Sequence, residues 1–129
     1  MNIINNNIKW IMLISGVLTF AMVFAAVSPQ LALSSMFGSS LEGPLAEVVV
    51  RNWGALIALI GGMLIYGAFN IEVRNLVLLV AALSKIFFIT LVITNGFGKQ
   101  LISAITFDTI LILLFFTYIL SNRKSNNVV

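Results

Sequence analysis

Residues 76–94 read LVLLVAALSKIFFITLVIT, an apolar run whose only charged residue is Lys85. A bilayer core roughly 30 Å thick is crossed by about 20 apolar residues in a helix. The run is therefore long enough to cross a membrane once. A lysine near the centre of such a helix is costly to insert and rarely faces lipid. The stretch predicts a membrane helix whose charge points into the protein.

Three other apolar runs are long enough to cross, at residues 10–27, 48–69 and 101–120. The first contains no charge, the second contains Arg51 near its start, and the last contains Asp108. The first run can also be interpreted as a signal peptide, but it is longer than the usual 7–15 residue apolar region of one. We therefore expect it to be retained. The sequence predicts one transmembrane domain, 1–129, folded as an all-α four-helix bundle.

The composition agrees with a membrane protein: 60% of the residues are hydrophobic and 9% are charged, with a mean hydropathy of +1.12. In a soluble domain about 25% of the residues are charged. The chain has no cysteine and no histidine, so disulfides, thiolate or imidazole metal sites and His-dependent triads lack their residues. We expect no cofactor, no metal and no nucleic-acid partner. Enzyme activity is disfavoured, although a Lys85–Asp108 acid–base couple would be one place for it.

The basic residues predict the orientation. With a cytoplasmic N-terminus, four of them fall in the inner segments, and Lys99 alone falls in the outer ones. The four are Lys9, Arg74, Arg123 and Lys124. Because cytoplasmic loops carry an excess of lysine and arginine, we expect both termini in the cytoplasm. The inner turn that contains Glu72 and Arg74 is interpreted as solvated.

The connection between the first two spans, residues 28–47, is longer than the others and carries no lysine or arginine. Pro29 is typical of the first turn of a helix, and Gly38 of the position after its end. We therefore predict a short interfacial or re-entrant helix on the outer face. It is either a covering loop or a lid over a pocket.

The second span carries a stripe of small residues. Gly54, Ala58 and Gly62 recur every four positions, and small residues are where helix backbones approach one another in lipid. The stripe is interpreted as a helix-packing face, with room for a ligand as the alternative.

The ionisable residues inside the spans form the candidate site. The tight turn at 95–100 makes the last two spans antiparallel, which puts Lys85 about 14 Å and Asp108 about 10 Å below their outer ends. A lysine side chain can bridge the difference, so we predict a Lys85–Asp108 ion pair. Glu47, Arg51 and Asn95 lie toward the outer end and complete a predicted polar cluster that opens outward.

Three roles fit this cluster. The ion pair could fix helix register, Arg51 and Lys85 could hold an anionic group, or the pair could relay protons. Proton relays usually contain chains of carboxylates or histidine, which this sequence lacks. The leading prediction is a non-enzymatic protein that binds a lipid-like or amphipathic anionic ligand. The alternatives are an accessory or structural subunit of a larger membrane complex and, less favoured, a homo-oligomeric proton-coupled carrier.

Four segments carry a resemblance: MFG at 36–38, VRNWG at 50–54, LIYGA at 64–68 and SKIFF at 84–88. With the R-x-x-G pattern and the glycine-rich second helix, they resemble small bacterial four-span membrane proteins that are distantly similar to the DoxX-like group. The resemblance extends over about half the chain. It implies a four-helix bundle in the bacterial inner membrane. Some DoxX-like proteins are associated with redox complexes, but this chain has no cysteine for redox chemistry.

Overall fold

The structure is a computed structural model that describes residues 2–39 and 41–128, without the side chains of Asn2, Asn5 and 123–128. This part of the chain is helical and contains no strand, so the all-helical prediction is confirmed. The helices are α1 (Asn2–Phe20), α2 (Val23–Val27), α3 (Pro29–Phe37), α4 (Pro44–Phe69), α5 (Ile71–Thr94) and α6 (Ile102–Val128).

Four segments are long and apolar enough to cross a membrane, judged by length and composition. They are Asn6–Val27, Pro44–Phe69, Ile71–Thr94 and Ile102–Asn122. The second and third begin four or five residues before the predicted spans, because each helix starts at its cap rather than at the first apolar residue. Pro44 occupies the first turn of α4, and the Asn70 side chain accepts a hydrogen bond from the Glu72 amide at the start of α5.

The first span contains a break between α1 and α2. The amides of Met22, Phe24 and Ala25 bond to carbonyls three residues back, at 3.0–3.2 Å, instead of four. Such bonds tighten a helix, and the segment after them, α2, packs on α4. Each long helix also contacts its neighbours: α1 packs most extensively on α4, α4 on α5, α5 on α6, and α6 more slightly on α1.

The α1–α4 contact depends on two facing glycines. A Cβ atom built on Gly61 would lie 2.7 Å from the carbonyl oxygen of Gly16, and it would also clash with the backbone of Phe20. A Cβ on Gly16 would in turn lie 2.9 Å from the Gly61 carbonyl oxygen. Only residues without a side chain allow the backbones to approach this closely.

The small-residue stripe on α4 follows a slightly different line from the predicted one. Gly54 and Ala58 are buried, and a Cβ on Gly54 would lie 2.7 Å from the Cβ of Ala25. The third close approach occurs at Gly61, whereas a Cβ on Gly62 would meet nothing within 4 Å. The reason is the helical period of 3.6 residues: position i+7 lies about 20° from position i, and i+8 about 80°.

We call the half of the helices next to the α4–α5 junction the inner half, and the half next to α3 the outer half, following the predicted orientation. The inner half has a filled core to which all four long helices contribute. Its buried residues are Ile8, Met12, Leu64, Ala68, Val77, Leu78, Ala81, Ala82, Leu111, Phe115 and Tyr118.

The α4–α5 junction corrects one interpretation made from the sequence. Arg74 is buried rather than solvated. Its Nε donates to the carbonyl oxygen of Gly67 at 3.0 Å, and its Nη2 donates to that of Ala68 at 2.7 Å. Carbonyls near the end of a helix lack helical partners, and the guanidinium bonds to that of Ala68 and shares that of Gly67 with the Asn70 amide. Glu72, in contrast, is exposed as expected.

The predicted short helix is α3. Pro29 stands at its first position, and Gly38 ends it in the left-handed conformation at φ 76°, which glycine adopts without steric cost. Whether α3 lies on the membrane or enters it stays a prediction, as does the single-domain organisation.

Candidate functional site

Lys85 on α5 and Asp108 on α6 form an ion pair, with Nζ and Oδ1 2.8 Å apart. The side chains are 12% and 16% exposed. It is the one ion pair among the side chains that the structure describes. The ion pair expected from the depths of the two residues is therefore formed.

The pair has hydrogen-bonding capacity left over. Among the described residues, Lys85 and Asp108 bond only to each other. An ammonium group carries three donors, and a carboxylate offers about four acceptor sites. Since one bond uses a single donor and a single acceptor site, the pair can still donate to and accept from a molecule placed beside it.

The space beside the pair is a partly open cavity of about 220 Å³ in the outer half. All four long helices contribute to its wall, together with one residue of α3 and one from the α1–α2 break. The lining residues are Leu18, Thr19, Met22, Met36, Trp53, Ile57, Ile60, Ala81, Ser84, Lys85, Phe88, Ala104, Phe107 and Asp108.

The chemistry of this wall is simple. Most of it is apolar, and its polar side chains are the ion pair, the hydroxyls of Thr19 and Ser84 and the Trp53 indole. An apolar cavity of about 150 Å³ holds benzene in another protein, whereas pockets for drug-sized ligands measure about 300–1,000 Å³. The cavity therefore suits a small molecule, or one end of a longer one, with a polar group placed at Lys85 and Asp108.

Arg51 does not face this cavity. Its Nη1 donates to the carbonyl oxygen of Ala26 at 2.7 Å. Because α2 ends at Val27, that carbonyl lacks a helical partner, and the guanidinium takes it. The end of α2 thus supplies Arg51 with an acceptor away from the cavity, a contact that no sequence pattern indicated.

Glu47 and Asn95 also lie apart from the ion pair. Glu47 is exposed. Asn95 is exposed as well, and its Nδ2 donates to the carbonyl oxygen of Leu91 at 2.8 Å, at the end of α5. Of the five residues in the predicted polar cluster, the structure brings together Lys85 and Asp108 and leaves the other three at the outer ends of their helices.

Three aromatic rings contact one another at the outer ends of the helices, which the sequence did not suggest. The Phe37 ring at the end of α3 packs edge-on against Phe97, with centroids 5.2 Å apart, and tilted against Trp53 at 6.3 Å. Beneath it lies a second cavity of about 320 Å³. Trp53 and Phe88 line both cavities. No sequence pattern identifies Phe37, because its partners depend on how α3 folds back.

Comparison with known proteins gives no further guide: no protein-family model, no curated protein and no solved structure matches the chain. Within residues 2–39 and 41–128 there is also no group of three or more side chains suited to hold a metal ion. The features of the molecule that bear on its function are therefore the cavity and the ion pair.

Proposed function

We propose that this protein is a non-enzymatic four-helix membrane bundle that binds a small amphipathic molecule in the cavity of its outer half. The observation that carries the proposal is the Lys85–Asp108 pair in the wall of a cavity lined by all four long helices. The polar end of the ligand bonds to the pair, and its apolar part contacts side chains such as Ile57 and Phe88. The site is apolar with a few convergent polar groups, as small-molecule sites usually are.

We further propose that the protein lies in the bacterial inner membrane with both termini in the cytoplasm. Four helices of sufficient length support a multi-pass protein. The excess of lysine and arginine in the inner segments supports the orientation. The resemblance to DoxX-like proteins supports the bacterial membrane.

The geometry favours an uncharged polar group over the anion expected from the sequence. The predicted anion site required two free cations, Arg51 and Lys85. Instead, Arg51 donates to the Ala26 carbonyl oxygen and Lys85 is paired with Asp108. A closed ion pair is neutral, so an added anion would bring an uncompensated charge into an apolar site, which is costly. A hydroxyl or amide can instead donate to Asp108 and accept from Lys85.

The other candidates receive less support. An accessory subunit needs a surface for its partner, yet the small-residue face of α4 is occupied by α1 and α2 within this chain. A proton carrier needs a chain of buried titratable groups. Among the carboxylates of the described residues only Asp108 is shielded, since Glu42, Glu47 and Glu72 are exposed.

The two tryptophans allow a direct test, because Trp53 lines the cavity and Trp10 is 60% exposed near the other end of the first span. In a Trp10→Phe variant, Trp53 is the only fluorophore of its kind. We expect ω-bromohexanol to quench Trp53 in proteoliposomes with saturation, because its bromine quenches indole on contact. Bromohexane, which lacks the hydroxyl, should bind more weakly.

The matched control is the Trp53→Phe variant, in which Trp10 reports on the lipid-exposed surface. There we expect quenching that rises linearly with either compound. Linear quenching of Trp53 by both compounds, without saturation, would refute the proposed site.

A further inference from the structure

Two residues of the cavity wall are exposed on the surface of the protein. Leu18 on α1 is 53% exposed and Phe107 on α6 is 42% exposed, although both line the cavity. Every other lining residue is buried or half-buried. Because α1 and α6 are neighbours, the exposed rim of the cavity lies between these two helices.

The packing of α6 explains this rim. Among the side chains of α6 that the structure describes, those of Leu111, Phe115 and Tyr118 are buried, all in the inner half. Residues 102–110 include none that is fully buried. Because α1 contacts α6 only slightly, the outer part of α6, which lines the cavity, is not closely packed against α1.

The rim lies at the depth of the hydrocarbon. At 1.5 Å per residue, Phe107 is about 8 Å from the start of α6, and Leu18 is about 14 Å from the outer end of the first span. An opening at this depth faces lipid chains rather than water. A molecule that passes through it must already be dissolved in the bilayer.

From these observations we infer that the ligand reaches Lys85 and Asp108 sideways from the bilayer, through an opening between α1 and α6 bounded by Leu18 and Phe107. The inference rests on the proposed function and names the ligand class: a membrane-dissolved chain with one uncharged polar end. A charged end would have to cross hydrocarbon, which is costly. The rest of a long chain can stay in the lipid, which is why a cavity of about 220 Å³ is large enough.

The competing route runs from the outer surface through the second cavity. Along this route Phe37 packs on Phe97, and Trp53 and Phe88 lie where the two cavities adjoin, since they line both. A long chain bound along that route would keep its middle part against Phe37 and Phe97 rather than between Leu18 and Phe107. The two routes therefore predict contact with different residues.

The experiment is photolabelling in proteoliposomes with hexadecanol that carries a diazirine in the middle of its chain. Labelled residues are located by mass spectrometry, with and without excess unlabelled dodecanol. We expect label at Leu18 and Phe107 that is lost on competition. Ile14 and Ile110 are exposed neighbours on the same two helices that do not line the cavity, and their label should persist.

A cavity-filling variant provides the matched control. Ala104→Leu adds bulk inside the cavity without altering Leu18 or Phe107, so the competed label at those two residues should disappear. Competed label at Phe37 and Phe97 instead would overturn the sideways route and leave the proposed function intact. Competed label at none of these residues would overturn both.

Discussion

In the inner half, Met12, Leu64 and Phe115 are fully buried among side chains from all four long helices. In the outer half the same helices surround a cavity of about 220 Å³. Each half belongs to the same four apolar spans, so the apolar character of the spans does not by itself explain the difference. Between helices in lipid there is little hydrophobic driving force, and packing and hydrogen bonds decide which surfaces close.

Each half is held in its own way. The inner half is closed by interdigitating side chains. The outer half is held by a few directional contacts: the Lys85–Asp108 pair, the Arg51 bond to Ala26, and the approach of Gly54 to Ala25. A few strong contacts can fix the helices while leaving space between them. The outer half can therefore be stable and open.

The largest effect is expected from breaking the ion pair. Lys85→Met leaves Asp108 shielded without its partner and should lower the free energy of unfolding by about 3–5 kcal/mol. A double variant with Asp108→Leu should regain most of that loss, because no charge remains. SDS titration followed by tryptophan fluorescence measures both. Asp108→Leu alone is the second single variant. If the double variant loses as much free energy of unfolding as the two single variants together, the pair does not couple the helices.

The next effect concerns the glycine contact between α1 and α4. Gly61→Ala should cost about 1–3 kcal/mol, the usual penalty of overpacking, since its Cβ would meet backbone atoms of Gly16 and Phe20. Gly62→Ala, one residue away, has open space around its Cβ and should leave the same unfolding curve almost unchanged. Equal losses in the two variants would mean that α1 does not approach α4 at Gly61.

These two tests also mark what the sequence could predict. Four apolar runs gave the helices, and helix depth alone placed Lys85 opposite Asp108, because both follow from length and periodicity. The positions of the arginine side chains could not be predicted, because they depend on where helices break and end. Arg51 and Arg74 bond to carbonyls near helix ends, and a break such as the one between α1 and α2 has no signature in residues 20–23. Proline and glycine did mark α3, where backbone preference is strong.

A smaller difference in the free energy of unfolding is expected between the alanine variants of two phenylalanines. Phe115→Ala in the inner core should cost about 2 kcal/mol, which is the cavity part of the usual penalty at ~24 cal/mol per Å³, because the transfer part is small between helices in lipid. Phe88 already borders two cavities, so Phe88→Ala removes fewer contacts and should cost under about 1 kcal/mol. SDS titration measures both losses in the free energy of unfolding. A larger loss for Phe88→Ala than for Phe115→Ala would contradict a packed inner half and an open outer half.

The smallest effect lies at the α4–α5 junction. Arg74→Lys keeps the charge but cannot reproduce the two bonds to Gly67 and Ala68 with a planar fork. We expect a loss of about 1 kcal/mol, with the Trp53 quenching by ω-bromohexanol unchanged. A change in that quenching would show that the two halves are coupled.

A crystal structure grown from a lipidic phase containing ω-bromohexanol would decide whether the outer half is open, because bromine can be located by anomalous scattering. We expect bromine inside the cavity, against Trp53, and a hydroxyl between Lys85 and Asp108. A closed outer half, with side chains filling the space beside the pair and bromine only on the lipid-facing surface, would contradict the proposed binding site.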